Sequence, residues 1–112
     1  MKTIINILGT DYEVKEMTEE EYPKLKIMGA VGLCEYNSKK IILDKNQLNI
    51  IQPYTLEGLE VSKREVLRHE IIHAFFHETG LCDYRDDEVL VDLLALQIPK
   101  LIKTFSELEI LK

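Results

Sequence analysis

The apolar residues of this chain change their spacing near its middle, and that change limits the fold more than any other feature. Before residue 44, β-branched and apolar residues form short runs separated by Gly, Asp, Asn and Ser, a pattern typical of strands and hairpins. After residue 60 they recur three and four positions apart, which is typical of amphipathic helices. Because 112 residues suffice for one domain with one core, we expect a single α+β domain over residues 1–112.

The first half of the chain predicts two β-hairpins, each with a short polar turn between two apolar runs. The pairs are residues 3–8 with 12–15, around Gly9-Thr10-Asp11, and residues 31–36 with 39–43, around Asn37-Ser38. Together they predict a small, partly antiparallel sheet. We expect this sheet to pack on the helices of the second half.

Weaker patterns lie beside the second predicted hairpin. Thr18 and Glu21 have the spacing of a capping box, which predicts a short helix over residues 18–26 that Pro23 keeps from growing longer. Residues 44–58 give mixed patterns and are expected to form a loop, with a turn of helix near residues 45–48.

Two helices are expected in the second half. Ser62 and Glu65 form a capping box and Gly80 has the place of a left-handed C-terminal cap, so the first helix is predicted over residues 63–79. The second is expected to begin near Asp83 or Asp86, to be interrupted near Pro99, and to be followed by a last helix over residues 100–111. Its predicted inward residues are Val89, Leu90, Leu93, Leu94 and Leu96.

Composition excludes several classes of function. The net charge is −6 and the 14 basic residues are scattered, which argues against nucleic acid as a ligand. No apolar stretch is long enough to span a membrane, and the early apolar run is too short for an export signal. The only cysteines, Cys34 and Cys82, lie far apart in sequence and are expected to be free thiols. We therefore expect a cytoplasmic protein without a membrane partner.

The predicted helix over residues 63–79 carries the sequence His69-Glu70-Ile71-Ile72-His73. Residues four apart lie on one helix face, so both imidazoles can bind the same zinc ion. Glu70 lies about 100° round the helix from His69, within reach of a water beside the metal. This spacing predicts zinc bound by His69 and His73, with Glu70 as the catalytic carboxylate.

The second predicted helix adds acidic residues that suit the same site. Glu88 and Asp92 are four apart and lie on one face. A catalytic zinc site needs a third protein ligand, and Glu88 is expected to supply it. Asp92 is expected to hold the outer ring nitrogen of one histidine, and Asp87 that of the other. The alternative is that these carboxylates only favour the helix N-terminus and face water.

Two further residues near the motif could be mistaken for zinc ligands. His77 lies eight residues from His69, or ~12 Å along a helix, which is too far for a common ion. It is expected to be an ordinary polar position or a substrate contact. Cys82 follows Gly80 in the turn and is expected to be a semi-buried small residue.

These residues resemble a known family. The run from Val66 to Ala74, followed by Glu88 and by residues 93–99, resembles the minimal gluzincins of the ImmA/IrrE type, which occur in phages, mobile elements and bacterial regulators. Residues 30–101 carry the likeness, including a strand pair that begins with Gly32. The resemblance implies a zincin-like metallopeptidase, with zinc ligands and a catalytic glutamate at the positions predicted above, and some members cleave regulatory repressors.

The expected activity is hydrolysis of a peptide bond in a protein or peptide substrate, with Glu70 acting as base and then as acid. An oxyanion donor is still required, and Tyr36, His77 and Tyr84 are candidates. The substrate is expected to lie along an exposed strand edge, for which residues 39–43 are the candidate. Two rival hypotheses remain: a non-catalytic interaction module with a structural zinc, and a metal-free helical packing protein.

Overall fold

The computed structural model describes residues 4–46 and 56–112, and within residues 56–62 it describes the backbone alone. The fold is α+β, as expected, with a mixed four-stranded sheet and four helices in the described residues. In chain order the elements are β1 (Ile4–Ile7), β2 (Thr10–Met17), α1 (Lys24–Met28), β3 (Gly32–Glu35), β4 (Lys40–Asp44), α2 (Leu56–Thr79), α3 (Cys82–Arg85) and α4 (Glu88–Glu107). No helix in the described part of the chain has the length and apolar character needed to cross a membrane.

Both predicted hairpins are confirmed. Strands β1 and β2 pair antiparallel, and their turn is Leu8-Gly9, one residue earlier than expected, with φ of 51° and 92°. Positive φ at both positions gives a turn whose twist matches that of the paired strands. Strands β3 and β4 also pair antiparallel, and the left-handed residue of their connection is Lys39.

The strand order is β1-β2-β4-β3, and β2 pairs with β4 in parallel. This order corrects the expectation that residues 39–43 form an exposed edge, because residues 40–43 belong to β4, which lies inside the sheet between β2 and β3. The side chains of Ile41, Ile42 and Leu43 are all fully buried, as a strand covered on both faces requires. The edge strand of the second hairpin is therefore β3, and β1 forms the opposite edge of the sheet.

The short helix α1 begins later than predicted. Thr18 and Glu21 do exchange the two capping-box hydrogen bonds, at 3.1 and 3.2 Å, but they enclose a turn and not a helix. Helix α1 starts after Pro23 and ends at Gly29, which has φ of 60°. Proline is well suited to a helix start because its fixed φ is helical and its missing N–H is not needed there.

Helix α2 ends where the sequence predicts but starts seven residues earlier. Gly80 has φ of 85°, its N–H donates to the His77 carbonyl, and the Leu81 N–H donates to the Phe76 carbonyl, which together form a Schellman cap. Ser62 lies inside the helix, so its predicted role as the N-terminal cap is wrong. The predicted turn of helix near residues 45–48 lies partly outside the described residues.

Helix α4 departs from the sequence prediction in two ways. It runs without interruption through Pro99 and ends at Glu107, so no separate helix follows. Its buried residues are Val91 and Ala95, whereas three of the residues expected inside are more than half exposed, namely Val89, Leu93 and Leu96. The inward face is therefore rotated from the predicted one, and this rotation turns Glu88 and Asp92 toward α2.

Helix α2 packs on one face of the sheet. The buried cluster joins Tyr12 and Val14 of β2, Ile41 and Leu43 of β4, and Ala74 of α2. Val66, Leu67 and Ile71 of α2 pack against this cluster from its edge. This packing fixes the motif-bearing helix against the sheet.

One carboxylate fixes the C-terminal end of α2 to the sheet. Glu78 accepts hydrogen bonds from the hydroxyls of Thr10 and Tyr12, at 2.8 and 2.6 Å, and pairs with the Lys39 ammonium at 2.8 Å. These partners favour the charged form of the carboxyl, and the Lys39 hydrogen bond contributes most. They lower the pKa of Glu78 from 4.5 to about 2.

We expect Glu78→Gln to make the fold less stable at neutral pH and to flatten its acid dependence. Because the pKa of Glu78 is lowered by folding, its contribution is present above pH 4.5 and is lost as the pH falls toward 2. Urea unfolding of both proteins at several pH values between 7 and 2.5 would test this. A difference in the free energy of unfolding between the two proteins that is the same at every pH would contradict this role of Glu78.

Candidate metal centre

His69 and His73 lie on the face of α2 that turns toward α4. Their Nε2 atoms are 3.0 Å apart, and both side chains are largely buried. The spacing of four residues places them one above the other on the helix, as the sequence predicts. The ligand atoms of His69, Glu70 and His73 all lie within 4.8 Å of one another.

The outer nitrogen of each ring faces an acceptor. His69 Nδ1 is 2.7 Å from a carboxylate oxygen of Asp92, and His73 Nδ1 contacts the backbone carbonyl of Arg85. A carbonyl oxygen can only accept a hydrogen bond, so His73 Nδ1 carries the proton, and the carboxylate holds His69 in the same tautomer. In the neutral rings both Nε2 atoms are therefore unprotonated.

Glu88, the first residue of α4, completes a group of acceptors. Its two carboxylate oxygens lie 3.0 Å from His69 Nε2 and 2.9 Å from His73 Nε2. When both rings are neutral, two unprotonated nitrogens and a carboxylate cannot hydrogen-bond one another, so either a proton or a metal ion must lie between them. Ligand atoms of a tetrahedral zinc ion lie ~3.3 Å apart, since each is near 2 Å from the metal. The observed separations are close to that value.

Glu70 lies deeper than the other acidic residues of the site. Its side chain is 7% exposed, and one carboxylate oxygen is 4.0 Å from His69 Nε2. Burial, with a smaller contribution from the carboxylates of Glu88 and Asp92, raises the pKa of Glu70 to about 8. A dication held by the histidines would oppose this rise by favouring the charged form. Without a metal ion, burial thus favours the protonated form of Glu70.

The side of the site formed by α4 is open. The side chains of Glu88 and Asp92 are 62% and 71% exposed, in contrast to the buried Glu70. They border a cleft of about 700 Å³ whose other wall is formed by residues 28–34 and Tyr36. An open wall leaves room for water and substrate beside the histidines.

Gly32 allows β3 to lie close to α2 at this cleft. A Cβ atom at position 32 would be 2.8 Å from Val66 Cγ1 and 3.2 Å from a carboxylate oxygen of Glu70. The first distance is shorter than any normal carbon contact, so a side chain there would push the strand away from the helix. Gly32 therefore sets the distance between the free sheet edge and the Glu70 carboxylate.

Asp87 has a different role from the expected one. Its carboxylate accepts the Leu90 N–H at 3.1 Å and caps the start of α4, and the acceptor on His73 is the Arg85 carbonyl. The expectation that Asp87 holds a histidine is thereby corrected. Helix α3 brings the Arg85 carbonyl to this position because it turns the chain directly after the end of α2.

Arg85 is held on both sides. Its Nη1 lies 2.7 Å from His77 Nδ1, and its guanidinium carbon lies 4.8 Å from the centre of the Tyr36 ring. The Tyr36 and His77 rings stack at 4.6 Å with an angle of 12°. His77 is therefore engaged with Arg85 and Tyr36 and lies outside the ligand group, as its helical spacing predicts.

The structure also places the two cysteines and the three candidate oxyanion donors. Cys34 and Cys82 are free thiols, and burial raises the pKa of Cys34. Cys82 is exposed and accepts a long hydrogen bond from Arg85, so it does not join the ligand group and is less buried than expected. Among the three candidate oxyanion donors, Tyr36 lines the cleft, whereas Tyr84 and His77 are not among its lining residues.

Sequence reasoning missed two groups at this site. The Arg85 carbonyl could not be recognised because every residue has a carbonyl, and only the path of α3 gives this one a role. The sequence showed Gly32 only as the first residue of the predicted strand pair and gave no sign that it must lie close to Glu70.

No protein-family model matches the chain, and no curated protein and no solved structure matches it.

Proposed function

We propose that the protein is a zinc-dependent peptidase with a zincin-like fold, similar to the minimal gluzincins of the ImmA/IrrE type. The observation that carries the proposal is the convergence of His69 Nε2, His73 Nε2 and the Glu88 carboxylate, with both outer ring nitrogens already on acceptors. Two histidines and one glutamate are the ligand set of one class of catalytic zinc sites, in which the fourth position stays open.

The donor set also favours zinc over other common cations. Calcium and magnesium bind mainly oxygen ligands, and magnesium keeps several waters, so two converging imidazoles suit them poorly. Imidazole nitrogens are ordinary zinc ligands, and their separation here agrees with tetrahedral geometry. Asp92 and the Arg85 carbonyl would fix the orientation of the two rings before the metal arrives.

The reaction that suits this site is hydrolysis of a peptide bond. When bound, zinc supplies Lewis acidity to a carbonyl and lowers the pKa of water toward neutrality. Glu70, buried beside the histidines, would take a proton from the attacking water and then give it to the leaving nitrogen. Breaking the C–N bond thus consumes one water and leaves Glu70 in its starting state.

The substrate would be an extended segment of a protein. Strand β3 is an edge strand of the sheet and lines the cleft, so its backbone can hydrogen-bond a peptide laid beside it. Gly32 brings this edge within reach of Glu70. A regulatory repressor is a candidate substrate because of the resemblance to ImmA/IrrE-type proteins.

The first test is the zinc content of the purified chain and of Glu88→Ala. We expect one zinc ion per chain in the natural protein and at least about 10-fold weaker binding in the variant, because a carboxylate ligand is lost. Glu107→Ala is the matched control, since Glu107 is an exposed carboxylate at the far end of the same helix. Equal zinc affinity in all three proteins would remove Glu88 from the ligand set.

A further inference from the structure

Pro99 leaves one carbonyl of α4 without its normal partner. In an α-helix the N–H of residue 99 would donate to the carbonyl of residue 95, but proline has no N–H. Helix α4 nevertheless continues through Pro99 to Glu107. Ala95 is 8% exposed, so water has little access to its carbonyl. Something else must satisfy this oxygen.

Arg68 of α2 supplies the missing donor. Its Nε atom donates to the Ala95 carbonyl at 3.3 Å, which joins the two ligand-bearing helices directly. Within the described residues, the other polar side-chain contacts between α2 and α4 are those of His69 and His73 with Glu88 and Asp92. The Arg68–Ala95 hydrogen bond thus joins the two helices without involving the proposed metal ligands.

The position of this bond suits a role in shaping the site. Arg68 directly precedes His69, and Ala95 lies less than one helical turn beyond Asp92. Arg68 and Ala95 also line the same cleft as the histidines. Any change in the spacing of the helices at this bond would move Glu88 and Asp92 relative to the two imidazoles.

We propose that Arg68 is a positioning residue, which binds the carbonyl left free by Pro99 and thereby holds α4 at the distance from α2 that the metal site requires. Arginine is suited to this because its guanidinium is always charged and keeps a fixed donor geometry. The bond is favoured because the N–H that normally occupies the Ala95 carbonyl is missing at Pro99. The zinc-binding part of this proposal rests on the proposed function, whereas the part on helix packing does not.

The test compares Arg68→Met, Pro99→Ala and the double variant with the natural protein. Arg64→Met is the matched control, because Arg64 is exposed one turn earlier on the same helix. Zinc affinity is measured by competition with a chelator, and the melting temperature Tm is measured on zinc-free protein. Methionine keeps much of the apolar length of arginine but has no donor to offer.

In Arg68→Met we expect zinc to bind about 10-fold more weakly, the lower end of the loss seen when groups that orient ligands are removed. The Tm of the zinc-free protein should fall by about 4 °C, the shift expected when a domain of 112 residues loses one partly buried hydrogen bond. Arg64→Met should change the Tm by less than about 2 °C and leave zinc affinity unchanged.

The double variant distinguishes the loss of the Arg68–Ala95 hydrogen bond between the helices from the loss of a hydrogen bond within α4. The Pro99→Ala substitution returns an N–H to the Ala95 carbonyl, so the Tm of the double variant should recover to near that of Pro99→Ala alone. Zinc affinity should stay about 10-fold weakened, because α2 and α4 are still not joined. Full recovery of zinc affinity would overturn the proposal, as would an Arg68→Met protein indistinguishable from Arg64→Met.

If the natural chain binds no zinc, the proposed function fails, and the Tm values alone decide on Arg68. In that case the Tm loss caused by Arg68→Met should be larger in the natural background than in the Pro99→Ala background. Equal losses in the two backgrounds would overturn the role of the Arg68–Ala95 bond.

Discussion

Replacing His69 with alanine should abolish zinc binding at micromolar metal, whereas Asp92→Ala should weaken it by only about 10 to 100-fold. His69 is expected to donate a ligand nitrogen, and Asp92 contacts the opposite ring nitrogen at 2.7 Å. Loss of the ligand leaves two protein donors, which is too few for a stable site. Loss of Asp92 leaves all three donors but frees the ring of His69.

Zinc titration against a chelator of known affinity would measure both losses. Asp83→Ala is a suitable control, because Asp83 is an exposed carboxylate of α3 outside the ligand group. Equal losses in the His69 and Asp92 variants would make Asp92 a direct ligand. Unchanged binding in His69→Ala would refute the proposed site altogether.

The parts of the fold that the sequence predicts well are those determined by local chemistry. Gly9 and Gly80 have left-handed backbone conformations that other residues adopt only at an energetic cost. The sequence therefore predicts the first turn and the end of α2 to within one residue. The His69-to-His73 spacing is likewise a property of one helix. It required no knowledge of what α2 packs against.

The features that the sequence could not predict depend on tertiary contacts. Ser62 and Glu65 have capping-box spacing, but the helix extends past them to Leu56, and a local pattern cannot exclude such an extension. The strand order places β4 inside the sheet because β2 pairs with it in parallel, a long-range choice. The free edge at the cleft was therefore assigned to the wrong strand of the second hairpin.

The expected interruption at Pro99 shows most directly how a tertiary contact can outweigh a local rule. Proline removes a helical hydrogen bond, and the sequence alone gives no reason to expect that Arg68 would replace it. The rotated inward face of α4 has a similar origin. Val91 and Ala95 are the buried residues of α4, and on this rotated face the Glu88 carboxylate meets the histidines of α2.

Replacing Glu70 with glutamine should leave zinc bound and the fold intact while peptide cleavage falls by at least about 100-fold, the lower limit of what general acid–base catalysis contributes. The amide keeps the shape and the hydrogen-bonding reach of the carboxylate but cannot take a proton from water. Because burial and the nearby carboxylates disfavour the charge of Glu70, a neutral side chain at this position should not destabilise the zinc-free protein.

The assay compares the two proteins, each loaded with zinc, on an unstructured protein substrate or a candidate repressor, and zinc content is measured on the same samples. Glu107→Gln makes the same chemical change on an exposed residue of α4 and should cleave like the natural protein. Zinc in every sample with no cleavage by any of them would favour an interaction module with a structural metal. Undiminished cleavage by Glu70→Gln would mean that another group activates the water, since a glutamine side chain there offers no basic oxygen to accept the proton.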